Sequence, residues 1–98
     1  MFNQTAGIDQ DEILTAVGKR YRASVNELCT SNRRPMRAKQ VAIYLLRKYT
    51  ALTNQAIGEK FGMKYSAVSK AGMTIERLTE KDKSLRRDVQ AIISSFEV

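Results

Sequence analysis

The chain has 98 residues, 43% of them hydrophobic, and carries 17 Lys and Arg against 10 Asp and Glu, a formal charge of +7. That length suits one domain with one modest core, and the apolar content excludes wholesale disorder. With no histidine and with Cys29 as its one cysteine, the chain excludes an internal disulfide and a zinc site of nitrogen and sulfur ligands within one chain.

One Pro, five Gly and little alternation of β-branched or aromatic residues point to an all-α fold of five to six helices. No apolar run is long enough to span a bilayer and no signal-peptide pattern opens the chain, so a cytoplasmic, nucleoid-associated setting without membrane contact is expected. A pI of about 9.9 points to a polyanionic partner, nucleic acid before an anionic membrane surface. The charge is unevenly spread. No Asp or Glu lies between Leu28 and Gly58, a window that holds Arg33, Arg34, Arg37, Lys39, Arg47 and Lys48.

In chain order, residues 1–8 carry no periodic signal and read as a flexible lead-in to one domain over residues 9–97. Asp9, Asp11 and Glu12 load the start of a helix with negative charge that suits its dipole. Ile13, Leu14, Val17 and Tyr21 give that helix, about Gln10 to Tyr21, an apolar stripe. Ser24-Val25-Asn26-Glu27 is a capping box. It opens a short helix to about Cys29, with Val25 and Leu28 expected to face inward and Cys29 to be a half-buried small apolar residue. The loop from Thr30 to Pro35 is polar and basic. It is either a solvated connector or, as its continuity with the acid-free window favours, a phosphate or minor-groove contact through Arg33 and Arg34.

Met36 to Tyr49 is the strongest helix, with Val41, Ala42, Leu45, Leu46 and Tyr49 at core spacing and Arg37, Lys39, Gln40 and Arg47 off it. Arg37 and Lys39 sit at its N-terminal end, where cations oppose the helix dipole and a bound phosphate would relieve them. Thr53 is the expected N-cap of a helix from Asn54 to Phe61, and Gly62 the left-handed residue that ends it. Gly58, inside that helix, reads as a close-approach position against a neighbouring helix. A second helix from Tyr65 to about Glu80 follows, with Val68, Ala71, Gly72, Ile75 and Leu78 as its stripe. Helix, glycine turn, helix is the plan of a helix-turn-helix, and equally of an ordinary αα-hairpin. In the first reading the helix from Tyr65 enters the major groove. Ser66 and Ala67 would meet base edges, Lys64, Tyr65 and Lys70 the phosphates, and Ser69 completes the set. Asp82 is expected to cap a last helix whose face is Leu85, Val89, Ile92, Ile93 and Phe96. Lys81, Lys83, Arg86 and Arg87 cluster at its start. No internal repeat is visible. No nucleophile–base pair and no phosphate-binding glycine loop occurs, so neither an enzyme, a cofactor nor a small-molecule substrate is expected.

The run R-P-M-R-A-K-Q-V-A-I-Y-L-L-R-K-Y-T, Arg34 to Thr50, followed by Q-A-I-G-E-K-F-G, Gln55 to Gly62, resembles the C-terminal DNA-binding domain of the bacterial replication initiator DnaA. The resemblance spans about Ile13 to Ile93. It implies an all-helical, Trp-repressor-like helix-turn-helix fold and double-stranded DNA as partner, within a larger parent protein. It also implies that Arg37, with Lys39 second, reaches the minor groove, and that Ser66 and Ala67 stand where the family places recognition-helix threonines. Those initiators carry an acidic-histidine-threonine signature at that point. Here Met63-Lys64-Tyr65-Ser66-Ala67-Val68 replaces it, with one residue fewer, which implies a different target. The run Tyr65 to Ala71 looks more like the DnaA-like tail of REP-associated tyrosine transposases. A separate alternative is a protein-interaction module that uses the last helix without specific DNA readout.

Overall fold

The computed structural model describes residues 9–30 and 36–96, and for Thr30, Met36 and Phe96 the backbone alone. Among them are six helices and no strand: α1 (Gln10–Tyr21), α2 (Val25–Thr30), α3 (Met36–Tyr49), α4 (Asn54–Phe61), α5 (Tyr65–Lys81) and α6 (Lys83–Phe96). None is long and apolar enough to cross a membrane.

The start signals act as the sequence implies. Asp9 accepts from the Asp11 N–H at 3.1 Å. In the capping box the Ser24 N–H donates to Glu27 Oε1 at 2.8 Å and the Glu27 N–H donates to Ser24 Oγ at 3.0 Å. Thr53 Oγ1 accepts from the Ala56 N–H at 3.1 Å, and Asp82 accepts from the Leu85 N–H at 3.1 Å. Each bond satisfies a donor that the helix itself leaves open.

One core unites the helices. It takes in Ile13, Leu14 and Val17 of α1, Leu28 of α2, Ile57 and Phe61 of α4, Val68 and Ile75 of α5, and Leu85, Val89 and Ile92 of α6. Helix α3 is central. It buries Ala38 and Ile43 as well as Val41, Ala42, Leu45 and Leu46, a wider arc than the expected stripe, because both α5 and α1 pack on it. Val25 departs from expectation. It is 37% exposed, since a six-residue helix anchored by Leu28 turns its first residue outward. The expected Phe96 contact lies outside the described side chains.

Two turns in the molecule are built alike, a likeness that the sequence carries only over five residues. Helix α1 ends Val17-Gly18-Lys19-Arg20-Tyr21-Arg22-Ala23-Ser24, and α4 ends Ile57-Gly58-Glu59-Lys60-Phe61-Gly62-Met63-Lys64. In each, the residue four after the glycine is left-handed, Arg22 at φ 58° and Gly62 at φ 67°. The next N–H donates back to the glycine carbonyl, Ala23 to Gly18 at 2.8 Å and Met63 to Gly58 at 2.7 Å. A Cβ on Gly18 would strike the Ala23 carbonyl, and one on Gly58 the Met63 carbonyl. Gly58 is therefore a close-approach site, as read. Its tightest neighbour, however, is the carbonyl of the following turn, with Val68 of α5 at 3.5 Å behind it. The α1–α2 and α4–α5 pairs are thus two copies of one corner.

Candidate nucleic-acid interface

The two corners differ where their second helices begin. Helix α2 opens on its capping box, so both its cap and its first turn are satisfied from within. Helix α5 opens on Lys64, whose side chain makes no capping bond, and its first turn holds no acid. The Lys64 carbonyl accepts from Ala67 and Val68 at 3.0 and 3.1 Å. What remains at this helix start is a set of outward N–H groups, the positive end of a 17-residue dipole and a lysine. Such an end favours an anion.

Around it the structure gathers most of the expected residues. Tyr65 is 67% exposed, Lys64, Ser66 and Lys70 are exposed, and Ala67 and Ser69 are half-buried. Ala67 and Ser69 therefore offer only an edge to a ligand. Tight packing is the reason, since Val68 and Ala71 beside them seat fully in the core. The Lys70 carbonyl accepts from Thr74 Oγ1 at 2.8 Å.

The basic segment enters from α3. Arg37 is exposed and Lys39 half-buried in its first turn; the Arg37 guanidinium makes a long bond to Gln40 Oε1 at 3.5 Å. Arg33 and Arg34 lie outside the described residues. Helix α2, which carries the half-buried Cys29, packs on both α3 and α4. Burial pushes the ionisation of the Cys29 thiol up, while Lys60 of α4 and Lys39 of α3 both pull it down. Lys60 lies two residues before Gly62, and α4 packs on α3.

Two placements were not legible beforehand. Arg47 lies across Gly72 of α5, where a Cβ would meet its guanidinium. It borders an open groove of about 290 Å3 with Tyr44, Lys48 and Glu76. The glycine inside a helix was the available signal. Arg86, grouped with the free cations of α6, instead closes α5. Its Nε donates to the Thr79 carbonyl at 2.8 Å and its Nη2 to the Glu80 carbonyl at 2.9 Å. It satisfies carbonyls the helix end leaves open, so it is occupied in the fold.

This corner, its uncapped second helix and the helix before it coincide with a known pattern. The family described as the bacterial dnaA protein helix-turn-helix matches residues 10–75, from the start of α1 to the middle of α5. The chain belongs to that family. It is 33% identical over 95 residues to the chromosomal replication initiator protein DnaA of Bacteroides thetaiotaomicron, covering 94% of this chain and 20% of that protein. Against DnaA of Streptococcus pyogenes serotype M4 the identity is 35% over 85 residues, 84% of this chain and 19% of the relative. Against that of Synechocystis sp. it is 37% over 75 residues, 74% and 17%. The chain thus spans about one fifth of the length of the initiators it matches. The matched region takes in both corners, α1–α2 and α4–α5.

Proposed function

We propose that the chain is a sequence-specific double-stranded DNA-binding domain in which the N-terminal end of α5 enters the major groove. Family membership supports the DNA-binding part. The single observation that carries the rest is the contrast between the two corners. The copy with an internal cap is chemically closed, whereas the copy at Lys64–Ser66 leaves its donors and positive charge outward. In this reading Ser66 and Ala67 contact base edges, with Ser69 beside them, and Lys64, Tyr65 and Lys70 bind phosphates. Arg37, with Lys39 and the Arg33–Arg34 loop, lies along the backbone or in the adjacent minor groove.

The relatives' shared name favours an initiator-type parent over a transposase-type one, and their length leaves room for other domains as partners. Reading the gene around this segment separates these parents. A docking role for α6 has less support. The exposed large apolar side chains among the described residues are Val25, Tyr65 and Met73, none of them on α6.

The test is a salt titration of duplex binding with Arg37→Ala, Lys70→Ala and Ser66→Ala. Loss of Arg37 or Lys70 should lower affinity on all sequences and reduce the slope of log K against log salt by about 0.9 each. Loss of Ser66 should change sequence preference with the slope unaltered. Uniform, shallow salt dependence in all four proteins would refute the proposal.

A further inference from the structure

The turn that ends α1 holds an unexpected residue. Arg22 is the one non-glycine residue with positive φ among the described residues. A left-handed backbone places its Cβ against the following carbonyl, a conformation that arginine adopts poorly and glycine adopts freely. The matching position in the other corner is Gly62, so the fold shows what the turn itself requires. An arginine kept where glycine fits better points to use of its side chain. The left-handed backbone also turns that side chain out of the α1 stripe, and Arg22 is exposed.

Its surroundings fit the same use. Arg20, two residues earlier, is neutralised by Asp88 of α6, with Nη2 at 2.6 Å and Nε at 3.0 Å from one carboxylate oxygen. Arg22 has no acid within ion-pair distance among the described residues. Helix α1 packs on α3, whose first turn carries Arg37.

We infer that Arg22 is a further DNA-backbone contact, its guanidinium binding a phosphate on the flank served by Arg37. This rests on the DNA-binding reading above and extends its footprint to the first corner, which thus adds a charge while the second reads sequence.

The experiment compares wild type, Arg22→Gly and Arg22→Lys on one duplex across a salt series, with thermal melting of each. Glycine fits the turn, so the Arg22→Gly melting temperature should equal or exceed that of wild type. Its log K–log salt slope should nevertheless fall by about 0.9, with affinity down roughly eightfold at 0.1 M salt, the factor one phosphate contact contributes there. Arg22→Lys should keep the wild-type slope. A wild-type slope in Arg22→Gly overturns the inference and leaves the DNA-binding reading standing. So does an Arg22→Lys protein that loses the slope as the glycine variant does, since charge would then not be the cause. A wild type that binds no duplex removes both.

Discussion

Single residues decide whether the two corners close. Gly58 and Gly72 are both buried helical glycines, yet their substitution has different consequences. A Cβ at Gly58 meets the Met63 backbone carbonyl, which is tied by its own turn, whereas one at Gly72 meets the movable end of Arg47. Gly58→Ala should destabilise by about 1–3 kcal/mol through overpacking. Gly72→Ala should stay within about 1 kcal/mol of wild type, helped by the better helix propensity of alanine. Denaturant unfolding of the two variants checks this, and equal losses would contradict it. Tyr21 supplies a pH term. Burial, foremost, and Asp88 raise its hydroxyl above the ordinary value of 10.0, against the pull of Arg37 and Arg20. The folded state thus holds the proton more tightly than the unfolded chain. The associated stability is fully present below pH 10 and is lost as pH rises through the raised value. Tyr21→Phe should flatten the fall in melting temperature above pH 10, and an unchanged alkaline profile would exclude this origin.

At the scale of elements, caps set the boundaries, and this is where the sequence was most legible. Asp9, the Ser24–Glu27 box, Thr53, Gly62 and Asp82 each announce their role by residue type, and the helices start or stop beside them. What stayed hidden was the likeness of the two corners. Val17-Gly18 against Ile57-Gly58 and Tyr21 against Phe61 match, but Arg22 against Gly62, Ser24 against Lys64 and Val25 against Tyr65 share no chemistry, so the short match passes unnoticed until the backbone is seen. Arg86 and Arg47 were equally opaque, because long side chains choose carbonyls or neighbouring helices that chain spacing does not reveal. The cap missing from α5 makes an element-level prediction. Lys64→Asp should supply an N-cap carboxylate and stabilise the domain by about 0.5–2 kcal/mol. The same change should weaken duplex binding, because it fills the helix start with negative charge. A variant that is more stable and binds DNA as well as wild type would exclude the α5 N-terminus from the interface.

For the whole molecule, α3 holds the basic segment and the helix-turn-helix in one frame. It packs on α5 more extensively than on any other helix, and its first turn carries Arg37 and Lys39. The fold was legible because periodicity and capping agree along most of the chain. The interface was legible only in part, since burial decides which residues of α5 are available, leaving Ser66 and Lys70 outward while Ala67 and Ser69 are half covered. The Met63–Val68 segment differs from the initiators' signature on an otherwise DnaA-type frame, which predicts a DNA target of its own. Selection of bound sites from random-sequence duplexes tests this most directly. The account predicts enrichment of one common site by the wild type and a shifted site for Ser66→Ala. A pool that stays random after repeated rounds, or one that enriches the same site irrespective of Ser66, would contradict the reading of α5 as the helix that recognises sequence.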